Sequence, residues 1–129
     1  TDIANIGKFL RVLNASFNTA LSIQRNTAAL ALENSTSTDP NKLNTVNMLL
    51  SLANVEAIDA VEVLSDKDLH LDAVFFLLNA INKNNAAIFE DTPADRKALI
   101  QSALNDFKFV KTRYGTGMNF TLGEGNLLF

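Results

Sequence analysis

Acidic side chains recur in this sequence at a spacing that could support metal binding. Glu56, Asp59 and Glu62 lie three residues apart, and Asp66 and Asp68 follow them. Such a series drifts around the exposed side of a helix, where carboxylate oxygens could bind a hard cation weakly. Carboxylate-bridged dimetal bundles need Glu-x-x-His on two helices, whereas this sequence contains one His. We interpret the series as a solvated acidic face and predict no metal site and no cofactor.

Three polar side chains could contact a small ligand between helices. His70 falls near the edge of an apolar helix face, and Gln24 and Asn85 project toward the middle of two such faces. A histidine with no partner given by motif is more often structural than catalytic. Two buried amides are more often a hydrogen-bonded pair that fixes helix register. As the alternative, Gln24, His70 and Asn85 would be the polar contacts of a small-molecule pocket.

The signatures of nucleotide binding and of nucleophilic catalysis are missing from the sequence. Neither GxxxxGK[ST] nor GxGxxG occurs, and no GxSxG motif distinguishes one serine from the others. The chain has no Cys, which excludes disulfides, thiolate metal ligands and cysteine nucleophiles. We therefore predict that the chain is not an enzyme and has no catalytic residues.

Length and composition indicate one folded helical domain. The chain has 129 residues, of which 47% are hydrophobic and 19% are charged, as in ordinary globular proteins. Its net charge of -3 gives no basic face for phosphates, so nucleic acid is not an expected partner. The longest apolar run, 73–78, is too short to span a membrane. A chain that begins at Thr1 fits either a cytoplasmic protein or one secreted after signal-peptide removal, and the sequence does not decide between them.

Helical periodicity and start signals predict an all-α fold, an antiparallel four-helix bundle with up-down-up-down topology. The first predicted helix covers 2–33 and the second covers 40–64, after Asp39 as N-cap and Pro40 at the first position. The third runs from near Asp66 to Asp91, with Ser65-Asp-Lys-Asp68 as a capping box, although one kinked helix through Ser65 would use the same residues. The fourth follows Thr92-Pro93 and continues to Tyr114, before Gly115.

Each predicted helix carries an apolar stripe that should face the core. The stripe of the first helix comprises Ile3, Ile6, Phe9, Leu10, Leu13, Phe17, Leu21, Ala28, Ala31 and Leu32. The second comprises Leu43, Val46, Leu49, Leu50, Ala53, Ala57, Ala60, Val61 and Leu64. The third comprises Leu71, Val74, Leu77, Leu78, Ile81, Ile88 and Phe89, and the fourth comprises Leu99, Ile100, Ala103, Leu104, Phe107, Val110 and Tyr114.

The last fifteen residues differ in composition from the predicted bundle, which covers 1–114. Residues 115–129 hold four of the five glycines, alternate Met118, Phe120 and Leu122, and end on Leu127-Leu128-Phe129. This pattern predicts a non-helical, strand-like C-terminal arm. Three interpretations stay open: an arm that docks on a neighbouring subunit, an export signal, or a flap on its own bundle.

Apolar residues outside the four stripes indicate what the chain does. Met48, Leu52 and Val55 form a second apolar set on the second helix, with Ile58 and Val63 nearby. A four-helix bundle needs one apolar stripe per helix, so something other than the bundle core must bury these residues. We predict that they form a subunit interface. The surplus continues on the other helices with Val12, Ile23, Leu30, Phe75, Phe76 and Phe109, and in the arm with Phe120, Leu127 and Phe129. The sequence thus favours a non-enzymatic association module, a subunit of a homo-oligomer, filament or other assembly.

Overall fold

Four antiparallel helices make up the described chain, as the sequence predicts. The computed structural model describes residues 2–65 and 72–113. The helices are α1 (Asp2–Glu33), α2 (Lys42–Leu64), α3 (Asp72–Ile88) and α4 (Pro93–Arg113), and the described residues include no strand. The predicted arm at 115–129 lies outside these residues.

Two helical hairpins pack against each other. In the first, Ser22 of α1 bonds to Ala53 of α2, while Leu10 lies beside Val63, as expected for antiparallel neighbours. The second hairpin pairs α3 with α4 in the same way. Contacts are most extensive within each hairpin, and α1 and α3 each contact all three other helices.

The helix starts and ends agree with the sequence to within a few residues. Pro93 begins α4, and the amide of Arg96 donates to the carbonyl of Thr92 at 2.9 Å, as expected of the first helical turn. α2 begins at Lys42, two residues later than predicted, because the Asp39 carboxylate accepts from the amide of Asn41 and holds residues 39–41 in a turn.

A side-chain hydrogen bond marks the end of α2. The Ser65 hydroxyl donates to the carbonyl of Glu62 at 2.7 Å and so satisfies one of the last carbonyls of the helix. The rest of the predicted capping box and Leu71 lie outside the described residues. α3 ends at Ile88, before the predicted Asp91, because the amides of Phe89 and Glu90 turn back to carbonyls three residues earlier.

Most of the predicted core stripe of α1 is wrong, because α1 buries mainly the opposite face; of the predicted residues, Leu13 is half-buried and packs against the core. Ile3, Ile6, Leu10 and Phe17 are 40–83% exposed, and the side chain of Phe9 lies outside the description. The residues that α1 buries are mostly small or polar: Val12, Ala15, Ser16, Thr19, Ala20, Ser22, Ile23, Asn26, Thr27, Ala29 and Leu30. Val12, Ile23 and Leu30 are therefore core residues and not surplus.

Small residues on the facing helices explain this reversal. The other helices also present alanines to the centre, at Ala53, Ala57, Ala60, Ala80, Ala87 and Ala103. Facing small side chains bring helix axes to the short end of the 8–10 Å range. The large side chains of the predicted α1 stripe do not fit between helices packed this closely, so they lie on the surface.

The other three stripes are largely correct. On α2, Val46, Ala53, Ala57, Ala60 and Leu64 are buried, whereas Leu43 and Val61 are exposed. Leu77 and Ile81 of α3 are buried, and Phe89, beyond its end, is 72% exposed. The α4 stripe is confirmed from Ile100 to Val110, and Tyr114 lies outside the described residues. None of the four helices, as far as they are described, is long and apolar enough to cross a bilayer.

Candidate interaction surfaces

The second apolar set of α2 lies on the surface, as the sequence predicts. Met48, Leu52, Val55 and Ile58 are 56%, 39%, 53% and 48% exposed, and we call these four residues the α2 outer face. They point away from the buried alanines of the same helix, at spacings of three and four residues. The face is about 15 Å long, from the rise of 1.5 Å per residue. Asp59 and Glu62 are exposed at its C-terminal end.

A second apolar surface runs along α1. It consists of the exposed residues Ile3, Ile6, Leu10 and Phe17 and of Leu13, which is half-buried and packs against the core; we call these five residues the α1 outer stripe. Leu10, Leu13 and Phe17 also line a shallow groove with two asparagines of α1. Hydrophobic periodicity assigned this stripe to the core. The sequence therefore identified the apolar residues of this face but assigned the face to the interior of the bundle.

Three phenylalanines form an aromatic cluster on the α3–α4 hairpin. The Phe76 ring packs against the core and lies 4.1 Å from the ring of Phe109, centroid to centroid, at an interplanar angle of 38°. Phe75 makes an edge contact with Phe76 at 5.5 Å and is 65% exposed. Of the predicted interface phenylalanines, Phe75 and Phe109 are thus exposed and Phe76 is half-buried. The other predicted interface residues, Phe120, Leu127 and Phe129, lie outside the described residues.

The acidic series does not form one solvated face. Glu56 is buried, and its Oε1 accepts from Nε of Arg25 at 3.0 Å, across the α1–α2 contact. Asp59 and Glu62 are exposed, while Asp66 and Asp68 lie outside the described residues. Among the residues that the structure describes, no group of three or more His, Asp or Glu side chains is arranged to hold a metal ion.

Of the predicted ligand contacts that the structure describes, Asn85 lines a pocket that Gln24 does not line. The pocket has a volume of about 160 Å³ and lies between α2 and α3, where Ala57, Val61 and Ile81 are apolar neighbours of Asn85. Oδ1 of Asn85 is buried and has no hydrogen-bond partner within the part of the chain that the structure describes. Gln24 is half-buried on the outer side of α1, in line with Phe17, and does not line this pocket. His70 lies outside the described residues.

The amide pair in the core is Asn26 with Asn84, not Gln24 with Asn85. Nδ2 of Asn26 donates to the backbone oxygen of Asn84 at 2.9 Å and to its Oδ1 at 3.1 Å. Nδ2 of Asn84 donates to the Ser22 hydroxyl at 2.7 Å, which in turn donates to the carbonyl of Ala53 at 2.5 Å. This network joins α1, α2 and α3 in the interior. The sequence carried a signal for this network. Ser22 and Asn26 are polar residues four positions apart that lie beside Ile23, on the face of α1 that was predicted to be at the surface.

A buried ion pair joins the end of α1 to the start of α4. The Arg96 side chain is 4% exposed, and its Nη1 donates to Oε2 of Glu33, while Nε and Nη2 have no hydrogen-bond partner among the described residues. Lys83 and Asp106 join α3 to α4 at 2.6 Å in a more exposed pair. Together with the Arg25–Glu56 pair, these contacts fix the relative positions of the four helices.

Comparison of the chain with protein families, with curated proteins and with solved structures found no significant match.

Proposed function

We propose that this chain is a non-enzymatic association module, the subunit of a homo-oligomer in which the α2 outer face of one copy covers that of another. The observation that carries the proposal is the exposure of Met48, Leu52, Val55 and Ile58 along one side of α2. Contiguous exposed apolar patches on soluble proteins usually mark association surfaces.

The charges beside the α2 outer face favour an antiparallel arrangement of two copies. Asp59 and Glu62 lie at one end of the face. A parallel pair would place like carboxylates opposite each other, which opposes association. An antiparallel pair separates them and sets Met48 of each copy near Ile58 of the other, with Leu52 near Val55. A two-fold axis through the middle of the face would relate the copies, as in most dimers.

The aromatic cluster can extend the buried surface elsewhere on the molecule. Phe75 and Phe109 are 65% and 44% exposed on the α3–α4 hairpin. Aromatic side chains contribute disproportionately to interface energy because each covers a large area at small entropic cost. These residues are secondary contacts in the proposal, and the first test addresses α2.

The test measures the oligomeric state as a function of concentration. Sedimentation velocity of the intact chain should show association that strengthens with concentration. Val55→Lys should weaken it tenfold or more, because a charge would be buried in an apolar contact. Leu43→Lys is the matched control, since Leu43 is an exposed apolar residue of the same helix outside the α2 outer face. A chain that stays monomeric at about 1 mM, or that responds equally to both variants, would refute the proposal.

Small-molecule binding, the alternative function, has weaker support. The pocket beside Asn85 has a volume of about 160 Å³, whereas pockets for drug-sized ligands span roughly 300–1,000 Å³. It also lacks Gln24 among its lining residues. An association surface accounts for more of the exposed apolar side chains than this pocket does.

A further inference from the structure

We infer that the pocket between α2 and α3 is a binding site for a small apolar amine, a molecule that carries an ammonium group on a body the size of a benzene ring. This inference goes beyond the proposed self-association and does not depend on it. It is carried by the volume and lining of the pocket, by a buried acceptor without a partner in its wall, and by the charge at its mouth.

The size and lining of the pocket fit one six-membered ring. Buried Ala57 and Ile81 and the more exposed Ile58 and Val61 give the pocket an apolar lining. Its volume is about 160 Å³. An apolar cavity of about 150 Å³ in a protein binds a benzene molecule. The pocket is therefore too small for a drug-sized ligand but has the space for a single ring.

Asn85 supplies an acceptor that the fold leaves unused. Asn85 lines the pocket, and its Oδ1 is buried and has no hydrogen-bond partner within the described helices. A buried acceptor without a partner destabilises the fold, so its presence calls for an explanation other than stability. The terminal torsion of an asparagine side chain is broad, and a small rotation brings this oxygen within reach of a ligand in the pocket. A donor on the ligand then gives Oδ1 the hydrogen bond that it lacks.

The charges around the mouth of the pocket favour a cationic donor. Glu62 lines the pocket and is exposed, and Asp59 is also exposed on the same helix. Of the described residues that line the pocket, none is cationic. Lys83 is adjacent in sequence to the lining residue Asn82, but its Nζ is paired with Asp106 of α4 at 2.6 Å. The mouth therefore attracts an ammonium group and repels a carboxylate.

A side chain from a second copy of the chain is the competing occupant. Ile58 belongs both to the pocket and to the α2 outer face, so a residue such as Met48 of another copy could reach this region in the proposed dimer. An apolar side chain would leave Oδ1 of Asn85 without a donor and would gain nothing from Glu62. An amine accounts for both polar groups, so we favour the amine.

A titration followed by NMR compares three head groups on the same ring in the intact chain. Benzylamine, which is cationic at neutral pH, should shift the amide signals of residues 57–62 and 81–85 with a Kd of about 1 mM, because so small a molecule makes few contacts. Benzyl alcohol should bind roughly two- to fivefold more weakly, since an exposed carboxylate contributes little. Benzoate should bind at least roughly tenfold more weakly than benzylamine, because it has no donor for Oδ1. Equal affinities for benzylamine and benzoate, or shifts confined to other helices, would overturn the inference.

Two substitutions assign the polar contacts. Asn85→Leu should weaken benzylamine and benzyl alcohol about tenfold, because both lose the acceptor. It should not lower the midpoint of urea unfolding, because Oδ1 has no partner to lose among the described residues. Glu62→Gln should abolish the preference for benzylamine over benzyl alcohol. Asn79→Leu is the matched control, because Asn79 is another half-buried asparagine of α3 and does not line the pocket. Equal losses of affinity in Asn79→Leu and Asn85→Leu would contradict the assigned site.

The Val55→Lys chain separates this site from the α2 interface. Val55 does not line the pocket, so Val55→Lys should bind benzylamine as tightly as the parent chain does. Binding in Val55→Lys alone, with benzylamine unable to bind the assembled parent chain without dissociating it, would assign the pocket to a second copy and overturn the inference. A parent chain that stays monomeric and binds benzylamine with the expected preferences would reject the proposed self-association and keep the amine site.

Discussion

Replacing Asn84 with alanine removes the side chain that connects three helices inside the bundle. Asn84 is 1% exposed, donates to the Ser22 hydroxyl and accepts from Asn26. Each of these hydrogen bonds contributes about 1 kcal/mol net. The shortened side chain leaves space that adds roughly 1 kcal/mol. We therefore expect the free energy of unfolding to fall by about 3 kcal/mol.

Two contacts that survive the substitution limit the loss. Asn26 keeps its bond to the backbone oxygen of residue 84, and Ser22 keeps its bond to the carbonyl of Ala53. Neither group becomes entirely unpaired, so the cost stays below that of orphaning a buried amide outright. About 3 kcal/mol is still a large share of the 5–15 kcal/mol that typically stabilises a domain.

Urea unfolding followed by circular dichroism measures this loss. With a slope of about 2 kcal/mol per M, the midpoint should fall by about 1.5 M. Asn82→Ala is the matched control, because Asn82 is an exposed asparagine on the same helix, and it should change stability by less than about 0.5 kcal/mol. Protein concentration is held constant, since association stabilises the folded state.

A double-mutant cycle identifies the cause. Asn26→Ala and Asn84→Ala each remove the bond between the two amides, so their effects should overlap by about 1 kcal/mol. Strict additivity would show that this bond contributes nothing. A midpoint for Asn84→Ala equal to that of the Asn82→Ala control would refute the interior network as a source of stability.

Two further predictions concern the buried Arg96 cation and Gly7 in the first turns of α1. Glu33→Ala should destabilise the chain by about 1–3 kcal/mol in urea unfolding, because it leaves Arg96 buried without its carboxylate, whereas Arg96→Met should be nearly neutral; equal costs for both would contradict this account. Gly7→Ala should stabilise the first turns of α1 by about 0.5–1 kcal/mol, because the added Cβ meets no atom within 4 Å. Hydrogen exchange should then show two- to fivefold stronger amide protection around residue 7, and unchanged protection would count against a formed helix there.

The sequence was sufficient for the number of helices and, to within a few residues, for most of their ends, because those depend on local rules. Proline at the start of α4 correctly predicted where that helix begins. The apolar stripe from Ile100 to Val110 correctly predicted which face of α4 is buried. Asp39 misled by two residues, because a carboxylate that can cap a helix can also hold a turn just before it. Local chemistry allows both outcomes.

The orientation of α1 could not be predicted from hydrophobicity alone. Both of its faces carry apolar residues, and the face with smaller side chains is the one that is buried. Which face of α1 is buried depends on the alanines of α2, and therefore on how the two helices pack together. The same error concealed the Asn26–Asn84 pair, because its residues lay on the face that was assigned to solvent. Glu56 was also predicted to lie at the surface, although in the structure it is buried in an ion pair with Arg25.

The unequal contacts between helices determine how this chain would come apart. Each hairpin is held along its length, whereas the two hairpins meet mainly through α1 and the α2–α3 contact. Proteins open in cooperative units whose free energies are lower than that of global unfolding. The weakest interface in the bundle is therefore the one between the α1–α2 and α3–α4 hairpins. Partial opening of this interface would expose the Asn26–Asn84 amides to water, while the helices of both hairpins stayed formed. Folding would pass through the same halves in the opposite order, with hairpin docking as its last event.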